Sequence, residues 1–201
     1  MSLTKQIKAT IQKEVKKDKK SKDYPYAELF RKKVQEQRQM RASVVRMDKS
    51  SNLPRARELG YKAKDGFFVA LTRIRKGSGM HRRPVKGRRP KRMGVNKLTR
   101  RISKQVMAEQ RTGRKFPNCE VLNSYWVGQD GTHTYYEVIL VDISSPSVRV
   151  DKERNKIVFN KHTKRAERGL TSAGKKSRGL KKGKGHEKNF PSLRANSRKA
   201  K

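Results

Sequence analysis

The densest chemistry in the sequence lies between Arg75 and Arg92. There Arg75, Lys76, Arg82, Arg83, Lys86, Arg88, Arg89, Lys91 and Arg92 are interleaved with Gly77, Gly79, Pro84, Gly87 and Pro90. A guanidinium presents a planar fork that matches phosphate oxygens two at a time. Glycine lets the chain come close to a nucleic-acid backbone, and proline lowers the entropy cost of fixing an extended path. A solvated charged face carries both signs, whereas this stretch contains no Asp or Glu. The chemistry it implies is phosphate binding.

The segment Arg168-Gly169-Leu170-Thr171-Ser172-Ala173-Gly174-Lys175-Lys176-Ser177-Arg178-Gly179-Leu180 repeats the theme. Gly169 to Lys175 reads G-x-x-x-x-G-K, close to a nucleotide-binding P-loop. Lys176 stands where that loop needs Ser or Thr for magnesium, and no strand is expected before it. Nucleotide hydrolysis is therefore not expected, and the glycines read as places where the chain presses on RNA. Gly128-Gln129-Asp130-Gly131 matches the G-x-x-G of KH domains, but it carries Asp130 and no cation, so a plain hairpin turn is the better reading. His81, His133, His162 and His186 have no His or Cys at ligand spacing, so no metal is expected. His81 and His186 fall in basic, Gly-rich segments suited to RNA contact. Cys119, the single cysteine, has no disulfide partner and reads as a small buried residue. Phe67, Phe68, Tyr125, Trp126, Tyr135 and Tyr136 can stack on bases, but aromatics on strands more often form core. Tyr135 and Tyr136 must point to opposite faces, which sends one ring away from the main core.

The wider composition agrees. The 201 residues carry 55 Lys plus Arg against 17 Asp plus Glu, a formal charge of +38. Such a field attracts any polyanion, and a basic isoelectric point is the footprint of a nucleic-acid binder. Hydrophobic residues make up only 32%, so part of the chain is expected to need a partner to become ordered. The first twenty residues are charged throughout, which argues against a secretory segment, and Val138–Val141 is far too short to cross a bilayer. A cytosolic or nuclear protein is expected.

The elements that must hold these residues follow from pattern. Leu3, Ile7, Ile11 and Val15 predict a helix with a narrow apolar stripe. Pro25 starts a second helix, with Tyr26, Leu29, Phe30 and Val34 on one face, running to about Val45. Asn52 caps a short helix from Pro54 to Leu59, and Gly60 suits the position past its end. After the Asp65-Gly66 turn, Phe67–Ile74 reads as a strand. Residues 75–94 are a loop. Asn96 caps a helix to Gln110, with Leu98, Ile102 and Val106 on one face. Val121–Val127 and Thr134–Val141 form a hairpin, and Ile157–Phe159 is a third, shorter strand. Residues 119–160 hold four basic residues and six acids, whereas residues 73–115 hold seventeen and one. The expectation is an α+β domain over residues 23–162, a small antiparallel sheet flanked by helices. A basic N-terminal extension, residues 1–22, precedes it, and a basic arm without structure of its own, residues 163–201, follows.

Four stretches carry a resemblance: Arg57–Gly66 (RELGYKAKDG), Val121–Gly131 (VLNSYWVGQDG), Glu137–Asp142 (EVILVD) and Arg168–Leu180 (RGLTSAGKKSRGL). Together they resemble the family of large-subunit ribosomal protein fifteen of the archaeal and eukaryotic type. Gly128–Gly131 and the Gly183–Lys188 end (GKGHEK) are similar to its archaeal branch. The resemblance covers roughly Tyr24 to Arg198 and leaves residues 1–22 as an added basic helix. Residues 143–148 lack the Asp-Pro that opens the corresponding loop.

The resemblance implies a structural constituent of the large ribosomal subunit that binds and stabilises folded ribosomal RNA, with no catalysis and no cofactor. Expected partners are large-subunit ribosomal RNA and neighbouring ribosomal proteins, with no membrane, no small-molecule substrate and no homo-oligomer. The expected location is the cytoplasm, in the ribosome. The candidate RNA-binding set is Arg57, Lys62, Lys64, Arg73, Arg75, Lys76, Arg82, Arg83, Lys86, Arg88, Arg89, Lys91, Arg92, Arg100, Arg101, Arg168, Lys175, Lys176, Arg178, Lys181, Lys182, Lys184 and His186. Rival readings are a chromatin or DNA-packaging protein, an RNA-modifying enzyme with a basic grip, and a cationic membrane-active protein. The first has no need of a Gly/Pro-rich loop, the second lacks a cofactor fingerprint or an acid pair, and the third has apolar stripes that are too thin.

Overall fold

The computed structural model describes residues 2–16, 24–79, 82–95, 100 and 102–180. Its centre is set by one strand. Val138, Ile139, Leu140 and Val141 are all fully buried, and a near-continuous apolar run of this kind needs cover on both faces of its sheet. That strand, β4 (His133–Asp142), lies between β2 (Phe67–Arg75) and β3 (Cys119–Gln129), and β1 (Val44–Met47) extends the sheet beside β2. The order is β1-β2-β4-β3, antiparallel throughout. On one face Val138 and Leu140 meet Val44, Ala70, Ile74, Val121, Ala166 and Ala108. On the other, Ile139 meets Val69, Tyr125 and Ala56, and Val141 meets Phe67, Val148 and Ile157. Full burial of each Val, Leu, Ile or Phe side chain among these stabilises the fold by about 1.5–3 kcal/mol.

The helices cover these faces. Ala108 stands on α4, Lys104–Lys115, and Ala56 on α3, Leu53–Glu58. As expected, Asn52 caps α3 by accepting from the Arg55 amide at 3.1 Å, and Gly60 follows with φ +99°. The first helix, α1 (Leu3–Lys16), packs against α2 (Tyr26–Arg38) and α3, with ion pairs Lys33–Glu14 at 2.5 Å and Lys8–Glu58 at 2.6 Å. The hairpin between β3 and β4 closes on Asp130, whose carboxylate accepts from the backbone N–H of Thr132 and His133 and from the Tyr135 hydroxyl. This is the plain turn read from the sequence. Tyr135 is thus buried and Tyr136 packs against the α4-side core, so protein covers both faces at this pair.

Four expectations are corrected. The second helix stops at Arg38, because Val44 and Val45 pair with Thr72 and Leu71 as β1. The Arg73 guanidinium donates to the carbonyls of Met40 at 2.8 Å and Arg41 at 3.2 Å just beyond the helix end. The fourth helix begins at Lys104, where Ser103 accepts from the Val106 amide at 3.3 Å, and runs on through Gly113 to Lys115. Residue 96 lies outside the described residues, and Ile102 stands before the helix, 40% exposed. Residues 155–158 form a 3-10 turn rather than a strand. Asp151 organises the turn that leads into it by accepting from the Glu153 and Arg154 amides. A short helix, α5 (Pro146–Val150), precedes that turn.

The fourth correction concerns the arm. Residues 163–180 are packed on the sheet and carry α6, Ser172–Ser177. The buried Glu120 carboxylate accepts from the amides of Lys164 at 2.7 Å and Arg165 at 3.3 Å. The Arg165 guanidinium donates to the Val121 and Leu122 carbonyls at 2.6 and 2.8 Å. Those carbonyls belong to β3, an edge strand, and Gln105 donates to a third, Ser124, at 2.9 Å. Side chains thus occupy an edge that would otherwise template another strand. Gly174 packs against Gly169, where an added Cβ would lie 2.7 Å from the Gly169 Cα. These two glycines serve a close contact within the protein. With no strand before it and only the six-residue α6, which begins inside the motif at Ser172, the segment has no P-loop geometry.

Two carboxylates make the fold acid-sensitive. Hydrogen bonding from Lys62, and then the Glu153 and Arg154 amides, outweigh burial and hold Asp151 at about 2. Burial alone would raise Asp130, but the amides of His133 and Thr132 and the Tyr135 hydroxyl bring it to about 2. A folded-state pKa below the unfolded value of 3.8 contributes stability that is present above that value and is lost as pH falls through the folded one. Thermal midpoints should therefore fall from about pH 4 down to about pH 2, and Asp130→Asn should show a shallower fall than the parent. Equal slopes for parent and variant would contradict this account of the hairpin.

Candidate nucleic-acid interface

The basic loop is rooted in the hairpin. It leaves β2 after Arg75, which pairs with His133 across the ladder. The Lys76 amide then donates to the Thr132 carbonyl at 2.7 Å, and its ammonium donates to the Asp130 carbonyl. Where the chain returns, Arg100 closes the root: Nε donates to the Gly77 carbonyl at 2.7 Å and Nη2 to the Arg75 carbonyl at 3.2 Å. Nη1 of Arg100 also lies 3.3 Å from the Met107 sulfur, on α4. Gly77, with φ +91°, turns the chain out into open space.

Beyond this root Arg82, Arg83, Lys86, Arg88, Arg89, Lys91 and Arg92 are all exposed. Every ion pair among the described residues lies elsewhere, so these seven exposed cations have no described carboxylate within 4.0 Å. Pro90–Arg92 forms one 3-10 turn; the rest of the loop's described part has no regular structure. An extended, cationic, acid-free segment on a fixed base is suited to lie along a phosphate backbone.

The other candidate residues divide by what they touch. Lys62 is held by Asp151 at 2.7 Å and Glu153 at 3.1 Å, and its ammonium pKa is raised by those two partners. Lys64 lies 3.5 Å from Asp151. Arg73 and Arg100 serve backbone carbonyls, as above, and Arg168 donates to those of Lys161 and Thr163 at 3.0 and 3.2 Å. Arg57, Lys176 and Arg178 are exposed, and Lys175 is half-buried. The structure therefore brings Arg75, Lys76 and Arg100 together at the loop root, while Lys62 and Arg73 are turned inward. Arg101, Lys181, Lys182, Lys184 and His186, with His81, lie outside the described residues.

Exposed Arg46 and Arg111 belong beside this set but were not singled out from the sequence. The Arg46 guanidinium sits 4.7 Å from the centre of the Phe68 ring, and Arg111 stands on the outer face of α4. The signal for Arg111 was the excess of basic residues over 73–115; none marked Arg46, on a four-residue strand. Cys119 is half-buried, and burial pushes its thiol up to about 11, so it stays protonated near neutral pH. Burial, then the charges of Arg165, Lys161, Arg168 and Lys175, hold the His162 pKa down. No group of three or more His, Cys, Asp or Glu suited to a metal occurs among the described residues.

A small α+β domain that projects exposed cations, unpaired among the described residues, on an extended segment is built to bind a polyanion. The family model described as Ribosomal L15 matches residues 8–196, and the chain belongs to this family. The large ribosomal subunit protein eL15 of the archaeon Methanocella arvoryzae is 55% identical over 175 residues, covering 87% of this chain and 89% of that protein. The proteins of the same name from Picrophilus torridus and Thermoplasma volcanium are 55% and 52% identical over 158 and 157 residues, each covering 78% of this chain and 80% of the relative. The match begins at residue 8, within α1, so most of the N-terminal helix is shared with the family and is not an addition to it.

Proposed function

We propose that this chain is a structural constituent of the large ribosomal subunit that binds and stabilises folded ribosomal RNA, without catalytic activity. The observation that carries the reading is the row of seven exposed loop cations with no described acid in reach, on a domain of the Ribosomal L15 family. The loop, Arg57, Lys176 in α6 and Arg178 at its C-terminal end displace counterions from phosphates. Each neutralised phosphate adds about 0.7 to 0.9 to the salt slope of binding, by analogy with simpler nucleic acids. Specificity comes from the fit of core and arms to RNA shape rather than from a base-by-base code. Neighbouring ribosomal proteins complete the site, in the cytoplasmic ribosome, and a net charge of +38 opposes self-association.

Sedimentation of a cell extract through a sucrose gradient after a high-salt wash tests this. The chain should travel with the large subunit and leave it only when the RNA is degraded. Recovery at the top of the gradient would overturn the reading, and equal affinity of the purified chain for duplex DNA would favour a chromatin role instead.

A further inference from the structure

The single tryptophan lies away from the basic loop. Trp126, on edge strand β3, is 37% exposed, while its ring is backed by Phe30 of α2 at 6.4 Å between centroids and 29° between planes. A large ring that is supported from behind and open in front is a platform. The open side faces a groove between α1 and the sheet edge, with Ile11 and Val15 among its apolar walls.

The polar lining has a definite character. Lys16 and Arg55 supply positive charge, and no carboxylate lines the groove among the described residues. Arg55 also meets Glu58 at 2.8 Å, an exposed pair of the kind that exchanges readily for another anion. Three carboxamides line the groove as well, from Gln12, Asn52 and Gln105. Gln105 uses its NH2 group on the Ser124 carbonyl and hydroxyl, both at 2.9 Å, which leaves its oxygen as an acceptor. Asn52 uses its oxygen on the Arg55 amide, which leaves its NH2 group as a donor.

We infer that this groove takes one unstacked nucleotide of single-stranded RNA, with the base laid on Trp126, its edge met by Asn52 and Gln105, and its phosphate by Lys16 and Arg55. An aromatic platform, a donor and an acceptor beside it, and the cations Lys16 and Arg55 match what an extruded nucleotide presents. The inference rests on the RNA-binding reading above but concerns a different surface and a different interaction: stacking, not counterion displacement.

Fluorescence of Trp126 in the full chain reads the groove directly. A single-stranded hexamer of riboadenylate should quench it at moderate salt. An abasic hexamer with the same backbone should bind the arms and leave the emission unchanged. With an end-labelled hexamer, Trp126→Ala should weaken binding roughly 5- to 150-fold at fixed salt, the range that loss of one stacked base gives. Trp126→Phe should recover most of that loss, and Lys16→Ala, on an exposed helix face, should weaken binding without touching the ring.

Equal quenching by both hexamers, or unchanged affinity in Trp126→Ala, overturns the inference. Shielding of Trp126 from acrylamide by RNA-free large-subunit proteins, with none by RNA, also overturns it and assigns the groove to a protein. If ribosomal RNA still binds with a steep salt dependence while Trp126 stays silent, the nucleotide slot alone is wrong. If no RNA binds at all, both readings fall.

Discussion

Replacing Arg82, Arg83, Lys86, Arg88, Arg89, Lys91 and Arg92 together by serine will leave the thermal midpoint unchanged and lower the salt slope of ribosomal RNA binding by about 5 to 6, at about 0.7 to 0.9 per lost phosphate contact. The first half follows from exposure: none of the seven is buried or ion-paired with a described carboxylate, so none supports the core. Substitutions at such surface positions usually change stability by less than about 0.5 kcal/mol each, in either direction. Removing like charges offsets part of any loss.

The second half follows from counterion release. A protein with six to ten phosphate contacts loses roughly 10³ to 10⁵ in affinity between 50 and 200 mM salt. The variant should therefore bind nearly as the parent does in weak salt only if other contacts suffice, and should bind far more weakly near physiological salt. Titration against ribosomal RNA at several salt concentrations gives the slope for each. An unchanged slope would mean that the loop does not touch phosphate. A deletion can make the same test, provided that it spares Arg75 and Lys76. Arg75 is a rung of the sheet and Lys76 is tied to Thr132 and Asp130, so a cut that includes them would damage the hairpin as well as the loop.

That distinction was not available from the sequence, and the reason is physical. Apolar patterning reports on distance from water, so it located β2, β3 and β4 and the helix that Asn52 caps. It carries little information about where a cation ends up. Lys62 and Asp151 are 89 residues apart in the chain, yet they form an ion pair, and Arg73 reaches the carbonyls that follow α2. In a list of basic residues both look the same as Arg88, which faces solvent. The first strand was hidden for a related reason. Val44 and Val45 continue the apolar face of the preceding helix, and four residues are too few to display a period of two against it.

The described part of the C-terminal segment was hidden more deeply still. Its only buried apolar side chains are Ala166 and Ala173, too small to signal a core. What holds it is polar and comes from elsewhere in the chain: Glu120 on β3, and Glu109 on α4.

Glu109 is the case where that hidden polar order carries a large energy. Its carboxyl is completely buried and accepts from the Ser124 hydroxyl and from the Thr171 hydroxyl, both at 2.5 Å. One of these partners is on the sheet and the other is on the arm, so a single side chain joins α4, β3 and the segment that ends in α6. Glu109→Ala leaves both hydroxyls without their acceptor, and each buried group that loses its partner costs about 1–3 kcal/mol. A total near 3 kcal/mol should lower the thermal midpoint of a chain this size by roughly 6 to 12 °C. New tryptic cleavage after Arg165 and Arg168 should accompany it, since the segment loses its tie to the core.

Glu109→Gln separates charge from shape. Burial raises the Glu109 pKa above its ordinary 4.5, against the hydrogen bonds of Ser124 and Thr171 and the charge of Arg165. A folded-state pKa above the unfolded one gives stability that is fully present below the unfolded value and is lost as pH rises through the folded value. The Gln side chain cannot ionise, so the parent should lose stability relative to Glu109→Gln as pH rises through that range. If the parent and Glu109→Gln melt in parallel at every pH, the carboxyl is not raised by burial. If Glu109→Ala keeps the parent's midpoint and cleavage pattern, the carboxyl does not hold the arm. Should both expectations be met, Lys175, Lys176 and Arg178 owe their positions to an acidic residue that no RNA can reach.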